Sequence, residues 1–175
     1  MEDGRPVAHT IRDLPAVGIC GSGLIDAVAA LLETDVLDET GYLEEDYPLS
    51  GDVVLTPADI RAVQLAKAAI AGGMKTLLQR SDTRPGDLSC LYLAGGFGNH
   101  LDPDSAARIG LFPRVLSTKT KPIGNAALAG AAALLLNRDL RDEVRGMSRL
   151  ARTVPLGGDP EFNRNYVDEM CFPES

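Results

Sequence analysis

Three glycine-rich motifs have the residue types and spacing that could do chemistry in this sequence. The sharpest is Leu93-Ala94-Gly95-Gly96-Phe97-Gly98-Asn99, which carries three glycines in four positions directly after an apolar run. Glycine has no Cβ, so its backbone can lie against a flat or phosphorylated ligand, and ligands in open α/β sheets collect at the carboxyl ends of strands. We therefore predict ligand contact along this motif, and a purely structural bend is the alternative.

The second motif is Gly18-Ile19-Cys20-Gly21-Ser22-Gly23, which opens a helical pattern. Small residues and free amides at a helix start can face an anion, so we predict a phosphate close to Gly21, Ser22 and Gly23. Close packing of the helix start explains these residues equally well. The spacing is not that of the dinucleotide fingerprint, and the sequence contains no P-loop GKS or GKT. Asp26 is the one acid near this motif and a candidate metal or water ligand.

The third motif begins at Gly124-Asn125-Ala126-Ala127 and ends at Gly130, inside an apolar run that continues to residue 136. A helix whose first turns have almost no side chains lets another helix or subdomain approach closely, as a hinge between two lobes requires. An ordinary buried Ala-rich helix is the alternative. Because the run 126–136 is apolar all round, we predict that it is buried or packed tightly on a neighbour.

The elements that must position these motifs follow from hydrophobic periodicity and capping residues. Ser22 is a suitable N-cap for the first helix, and Thr56-Pro57-Ala58-Asp59 is a strong start for the second. Gly72-Gly73 within that second helix indicates close packing or a bend. Helices are predicted over 22–35, 57–80, 103–109, 126–136, 139–150 and from Asp159-Pro160 onwards. Strands are predicted at 53–55 in a small hairpin, at 88–94 as a buried strand, at 115–118 and at 153–156. Strands interleaved with helices predict an α/β fold.

Composition narrows the classes of function. With 175 residues, of which 45% are hydrophobic, the chain can build one sizeable core. A net charge of -8 with no basic cluster disfavours nucleic acid and anionic membranes as partners. No stretch approaches the ~18 consecutive apolar residues that a membrane span requires. We therefore predict a cytoplasmic protein that binds neither nucleic acid nor membrane.

Metal chemistry has few candidate ligands. Cys20, Cys90 and Cys171 are far apart in the sequence, no CxxC pair exists, and there are only two histidines. Neither a zinc site nor an iron–sulfur cluster has enough local ligands. We predict no metal site in this chain and reduced, buried thiols.

Taken together and in this order, the motifs resemble the C-terminal region of the reductive activators of corrinoid-dependent proteins. The ATPase part of those activators belongs to the sugar kinase/heat-shock chaperone/actin superfamily. The resemblance runs from about Val17 to Pro173. It rests on five segments: GICGSGLID (18–26), DIRAVQLAKAAI (59–70), YLAGGFGNHLDP (92–103), PIGNAALAG (122–130) and GDPEFNRNYVDEMCFP (158–173).

The resemblance implies a ribonuclease-H-like lobe over 18–175, as a fragment of a longer protein, with 1–17 as a linker or truncated strand. It implies that Gly95, Gly96 and Phe97 form the adenosine motif of an ATP cleft between two lobes. Gln64 and Lys67, one helical turn apart, sit where the superfamily often places polar groups against the nucleoside; a solvated helix face is the alternative. The helix 124–130 resembles the second connecting helix between lobes.

Two departures from the family pattern limit what this chain does alone. It has no DxGT or DxGS phosphate loop and lacks the ferredoxin-type cysteines that hold a [2Fe–2S] cluster in full-length activators. Both would lie N-terminal to Met1 in a longer parent. We therefore expect no catalytic residue here and no competent ATP hydrolysis by the chain alone.

The resemblance also implies the partners of the intact protein. That protein would bind ATP with Mg²⁺ and support reduction of Co(II) to Co(I) in a corrinoid protein of a methyltransferase system, with electrons from the upstream cluster. The alternative, from a different class, is a non-catalytic docking or dimerisation module that recognises a corrinoid protein or a second copy of itself.

Overall fold

The computed structural model describes residues 7–174 of the protein, in which helices and short strands alternate. Residues 1–6 of the predicted linker lie outside the described residues, and 7–17 contain one 3-10 turn, Ile11–Asp13. The helices are α1 (Gly21–Glu33), α2 (Pro57–Arg80), α3 (Pro103–Arg108), α4 (Ala126–Leu136), α5 (Leu140–Leu150) and α6 (Pro160–Asp168). The strands are β1 (Tyr47–Ser50), β2 (Val53–Leu55), β3 (Leu91–Ala94) and β4 (Thr120–Gly124).

The main core gathers one face of α1, the start of α2, and α3 with the loop that follows it. In α1 the buried residues recur at helical spacing, as an amphipathic helix on a core requires. Leu91 and Leu93 of β3 pack against the same cluster. The predicted hairpin is confirmed: β1 and β2 pair antiparallel, with Tyr47 opposite Leu55.

Helix α2 begins with the capping residues that its sequence predicts. The Thr56 hydroxyl accepts a hydrogen bond from Asp59 N, and the Asp59 carboxylate accepts one from Thr56 N in return. This capping box satisfies two amides that a helix start otherwise leaves unpaired. The Thr56 hydroxyl and backbone amide lower the pKa of the Asp59 carboxyl.

The second half of α2 packs closely on α6. At Gly72 an added Cβ would lie 2.9 Å from the backbone nitrogen of Tyr166, so only glycine allows this approach. Asn165 of α6 is buried there and donates from Nδ2 to Thr76 Oγ1 at 2.9 Å and to Gln79 Oε1 at 2.7 Å. The predicted close packing at Gly72-Gly73 is thus confirmed.

Strands β3 and β4 pair in parallel, with Leu91 opposite Thr120 and Ala94 opposite Gly124, and the register shifts by one residue between Leu93 and Ala94. The prediction of a strand at 115–118 is wrong, because Arg114–Lys119 forms a 3-10 helix. Strand β4 begins directly after this helix, at Thr120. β3 is half-buried on one face, where Leu91 and Leu93 lie, and exposed on the other, where Tyr92 and Ala94 lie, whereas the sequence predicted a buried strand over 88–94. No strand forms at 153–156 in the described chain.

Helix α4 is the largest departure from expectation. Its apolar sequence predicted burial, yet none of its residues is buried, and Leu135 and Leu136 are 80% and 88% exposed. Helix α4 contacts α5, whose residues are likewise unburied. The apolar sequence of a helix predicts that its surface is buried in some contact, but it does not say which partner makes that contact.

Candidate functional site

The glycine motif after β3 forms a compact turn over residues 95–100. Asn99 N donates to Gly95 O at 3.2 Å and His100 N donates to Phe97 O at 3.3 Å. These bonds fix the backbone on which the Phe97 and Asn99 side chains stand. The turn lies at the carboxyl end of β3, as the sequence predicted.

The three glycines of this turn are there for different physical reasons. Gly95 has φ +98°, a conformation that side chains disfavour. A Cβ at Gly98 would lie 3.1 Å from Leu93 Cβ, so close packing favours glycine there. Gly96 has neither reason, because its φ is ordinary and nothing lies within 4 Å of where its Cβ would be. Gly96 therefore leaves an open surface that the described fold does not use.

The start of α1 meets this turn through Phe97. A Cβ at Gly21 would lie 2.7 Å from Phe97 Cε2 and 3.0 Å from Cδ2, so the edge of the ring lies directly over the Gly21 backbone. Two motifs more than seventy residues apart in the sequence are thus in contact.

The third motif joins the same place from β4. Gly95 N donates to Gly124 O at 2.7 Å, which ties the glycine turn to the end of β4. Gly124 has φ +62°, and the Asn99 side-chain oxygen lies 3.8 Å from where its Cβ would be. Asn125 then caps α4, accepting from Leu128 N at 3.0 Å. The sequence alone did not place β4 beside β3.

The other members of the third motif lie in the first turns of α4. Ala127 and Gly130 are exposed and Ala126 is half-buried, and nothing lies within 4 Å of a Cβ added at Gly130. This surface is bare, as the hinge prediction requires.

At the start of α1 the capping residue is not the one predicted. Cys20 occupies the N-cap and its Sγ accepts from Gly23 N at 3.4 Å, whereas Ser22 lies inside the helix. The prediction of Ser22 as the N-cap is wrong because the helix begins earlier, at Gly21. Hydrogen bonds from the Ser22 hydroxyl and then the Gly23 amide lower the pKa of the Cys20 thiol.

Asp26 faces α3 rather than a ring of ligands. Burial raises the pKa of its carboxyl, while a hydrogen bond from Ser105 lowers it in part. Between residues 7 and 174 no group of three or more His, Cys, Asp or Glu side chains is placed to hold a metal ion.

The side chains of Gln64 and Lys67 lie in the interior of the fold and not on a solvated face of α2. Both are about 98% buried, and Gln64 Nε2 donates to Thr40 O at 2.9 Å. Its Oε1 has no hydrogen-bond partner in the part of the chain that the structure describes. Gly41, with φ +76°, is held against this amide, where a Cβ would lie 2.5 Å from Nε2. The alternative of a solvated helix face is therefore wrong.

Lys67 reaches from α2 to the C-terminal segment. Its ammonium donates to Cys171 O and lies 5.6 Å from the centre of the Phe172 ring. Burial lowers the pKa of this amine, partly offset by the negative charge of Glu169. Phe172 N in turn donates to Glu39 O at 2.8 Å. Lys67 and Gln64 thus each bind a backbone carbonyl of their own chain, and their predicted contact with a nucleoside remains a prediction.

The cysteines are less buried than expected. Cys20 and Cys171 are exposed and Cys90 is half-buried, and all three are free thiols. The prediction of buried thiols is therefore wrong for Cys20 and Cys171, because both stand in connecting segments at the surface.

Comparison with known proteins decides the family. The family described as the C-terminal domain of RACo, the ASKHA domain, matches residues 2–175. The chain belongs to this family. The reductive-activator resemblance and the α/β superfamily fold that it implied are confirmed.

Three relatives illustrate the family. The corrinoid activation enzyme RamQ of Eubacterium limosum is 29% identical over 203 residues, covering 99% of this chain and 34% of that protein. The [Co(II) methylated amine-specific corrinoid protein] reductase of Methanosarcina barkeri is 28% identical over 173 residues, covering 95% and 32%. A solved structure named reductive activator for corrinoid, iron-sulfur protein superposes with a TM-score of 0.85 at 33% identity, covering 94% of this chain and 30% of that one.

The chain spans about a third of the length of these relatives. It is therefore similar to one part of each of them. Among its described helices none is long and apolar enough to cross a membrane.

Proposed function

We propose that this activator domain binds the adenosine part of ATP and so couples nucleotide binding to the reductive activation of a corrinoid protein in the cytoplasm. The partner class comes from the names of its relatives, which act on corrinoid proteins. Two observations support a nucleotide as the ligand. The chain belongs to the ASKHA superfamily, and the three glycine motifs meet at the ends of β3 and β4.

The observation that carries the proposal is the open backbone at Gly96. Packing explains Gly72 and Gly98, and left-handed backbone explains Gly95 and Gly124. Gly96 is explained by neither. Other described glycines, such as Gly130 and Gly146, are equally open, but Gly96 directly precedes a half-exposed aromatic ring that touches the start of α1. A nucleoside lying on this backbone would supply the missing reason for glycine.

The start of α1 fits the phosphate side of the same ligand. The helix has 13 residues, and the amides of its first turn other than Gly23 receive no side-chain cap. Such amides favour negative charge. Gly21, Ser22 and Gly23 are therefore proposed to lie near the phosphates.

The residues of this chain suit one of the ligands of the intact activator, the nucleotide, but not its metal-containing cofactors. Glycine backbone and Phe97 suit adenosine, but the described residues offer no set of ligands for Mg²⁺. The three cysteines stand apart, so they also do not fit a [2Fe–2S] cluster. We therefore assign metal binding and electron transfer to parts of the activator outside this domain, and nucleotide contact to this one.

The part played by the domain in the reaction follows from linkage. A ligand shifts a conformational equilibrium only by its differential affinity for the two states. If adenosine binds more tightly to a closed state, nucleotide binding would favour that state, and the closed state would be the one that docks on the corrinoid protein. Helix α4 would be the connecting helix at the hinge. The bare surface of Gly124–Gly130 gives this movement room.

A titration of the protein with ADP, followed by calorimetry, tests the nucleotide site. Gly96→Val places a branched side chain on the open backbone and should abolish the binding that the parent shows. Gly146→Val in α5 is the matched control, since it also has nothing within 4 Å of its Cβ and should bind like the parent. Equal affinity in the parent and Gly96→Val would contradict the proposal.

The second candidate function, a docking or dimerisation module, rests on the uncovered apolar surface of α4 and α5. Leu128, Leu136 and Leu150 are 65%, 88% and 81% exposed, and apolar patches of this kind mark interfaces. Sedimentation velocity of the parent and of Leu136→Gln separates self-association from a monomer. Association that disappears in Leu136→Gln, with no heat on addition of ADP to the parent, would favour this function over the first.

A further inference from the structure

Helix α5 gathers positive charge in an acidic protein. Residues 138–152, which include α5, contain five arginines and three acids, a net charge of +2 in a chain whose net charge is -8. Arg141, Arg145 and Arg149 are spaced four residues apart, so they lie along one side of the helix. Arg145 pairs with Asp142 at 2.9 Å, and no other arginine of 138–152 has a carboxylate partner among residues 7–174. The expectation of no basic cluster is therefore wrong for this helix.

The same helix has an apolar side that nothing in its surroundings buries. Val144 and Met147 lie next to the row of arginines, and no residue of α5 is buried. Met147 and Leu150 are 64% and 81% exposed. A helix of 11 residues is stabilised mainly by packing of its apolar side, so we expect a partner that covers it. That partner meets apolar side chains and unpaired arginines together.

A surface of the opposite charge lies in the segment 33–52 of the same chain. The segment contains eight acids and no lysine or arginine, and all eight acids are exposed. In the part of the chain that the structure describes, one of them is in a salt bridge, Glu33 with Arg108 at 3.3 Å. Tyr42 stands among these acids with 65% of its surface exposed. The segment thus complements α5 in charge and, like α5, exposes an apolar group.

We infer that α5 of one copy of this chain docks on the acidic segment 33–52 of a second copy. Opposite charges orient the two surfaces, and the contact removes the exposed apolar groups of both from water. In a two-fold dimer each copy gives its helix and receives that of the other, so the contact forms twice. Nucleic acid fits less well, because three acids lie among the arginines and the whole chain is negative. The inference goes beyond the proposed function and does not depend on the nucleotide site.

Salt dependence tests whether charge holds the two copies together. Sedimentation velocity over a series of protein concentrations should show self-association of the parent. Raising the ionic strength from about 0.1 M to about 1 M shortens the screening length from about 10 Å to about 3 Å, so the dissociation constant of the dimer should rise at least about tenfold. A parent that stays monomeric, or an association that salt leaves unchanged, contradicts the inference.

Charge reversal on α5 tests the helix side of the contact. Arg141→Glu/Arg149→Glu should raise the dissociation constant at least about tenfold, because like charges then face each other. Arg61→Glu/Arg164→Glu is the matched control: it reverses two exposed arginines elsewhere, has the same net charge and should associate like the parent. Urea unfolding of each variant checks that it is folded. Equal association of the α5 variant and the parent would show that the helix is not in the contact.

A mixture of two variants tests both sides of the contact at once. Glu44→Lys/Glu45→Lys reverses charge in the acidic segment and should also be monomeric by itself. Mixed in equal amounts with Arg141→Glu/Arg149→Glu it should associate again, because each helix then meets a segment of opposite charge. A mixture that stays monomeric would overturn the inference, since the two surfaces then do not meet.

This inference and the nucleotide site fail in different ways. The charge-reversal variants leave the glycine motifs unchanged, so they should bind ADP with the parental Kd. If the parent associates as described but binds no ADP, the proposed nucleotide site alone is wrong. If Leu136→Gln abolishes association while Arg141→Glu/Arg149→Glu associates fully, the contact lies on the apolar surface of α4 and the docking of α5 on segment 33–52 is wrong.

Discussion

Two regions of this domain use glycine pairs in opposite ways. Gly72-Gly73 in α2 is buried: the α6 backbone occupies the space that a side chain at Gly72 would take, and Leu156 Cδ1 lies 3.4 Å from the Cβ position of Gly73. Gly95-Gly96 after β3 has nothing within 4 Å of either Cβ position. The same dipeptide thus serves packing in one region and leaves a surface open in the other. Missing side chains point to a ligand only where the protein itself does not fill the space.

The packed region is a junction of α2, α6 and the C-terminal segment, and its polar residues act within the fold. Lys67 binds the Cys171 carbonyl and Gln64 binds the Thr40 carbonyl, so each ties a connecting segment to α2. The open region, around Gly96 and Phe97, has hydrogen bonds that shape a turn but leaves its surface uncovered. Changes in the packed region should alter stability, and changes in the open region should alter binding.

The largest expected effect in the packed region is that of Lys67→Ala. The variant loses a charge-assisted hydrogen bond and a buried aliphatic stem, so the free energy of unfolding should fall by about 3 kcal/mol. Urea unfolding measures this loss, with Lys121→Ala on the exposed face of β4 as the control. The Kd for ADP should not change. A weaker Kd with parental stability would instead support nucleoside contact by Lys67, as the family resemblance implies.

Gly72→Ala should destabilise the protein by about 2 kcal/mol, because the new methyl group meets the Tyr166 backbone and the helices must move apart. Two matched glycines sharpen the comparison in the same unfolding assay. Gly73→Ala meets only Leu156 Cδ1 at 3.4 Å, and Gly96→Ala meets nothing. Both should remain within about 1 kcal/mol of the parent. Similar losses in all three variants would remove the distinction between the two regions.

Thr56→Ala should lower the free energy of unfolding by about 1 kcal/mol, the usual loss when a helix N-cap is removed. The hydroxyl accepts from Asp59 N at 3.2 Å, so the variant leaves that amide without its partner. Thr56→Ser keeps the hydroxyl and should retain most of the stability. Equal loss in both variants would assign the effect to the methyl group and not to the cap.

The smallest expected effect is a dependence on pH. Because burial lowers the pKa of Lys67, the unfolded chain holds more protons at this position than the folded protein does, up to the ordinary pKa of 10.5. The stability contributed by Lys67 therefore rises as pH rises through that window. The difference in unfolding free energy between the parent and Lys67→Ala should grow as the pH rises towards the ordinary pKa of 10.5. A constant difference would show that the amine titrates normally in the fold.

Local sequence signals predicted most of the helices correctly, because their causes are local. The Thr56 cap, the proline after it and the apolar spacing of α2 lie within a few turns of one another, and the observed helix begins and ends at the predicted residues. The same holds for Asp102 and Asp159, which cap α3 and α6. The strand at 120–124 was missed because its apolar content is low and it contains Pro122.

The candidate site was predictable as a set of motifs but not as an arrangement. Sequence reasoning singled out Gly95–Asn99, Gly21–Gly23 and Gly124–Gly130, and the structure brings all three together. No local signal could show that Phe97 rests on Gly21, because the two residues are far apart in the chain. The same limit applied to Lys67, whose partner at Cys171 is 104 residues away.

The sequence by itself determined the α/β class, most of the helix starts, the family and the glycine positions at which a side chain is absent. Only the tertiary structure decided which of those absences the protein fills and which it leaves open, and that Gln64 and Lys67 are interior. The physical reason is that helix caps and hydrophobic periodicity act within a few residues. Space around a glycine, by contrast, is set by whichever distant segment packs there.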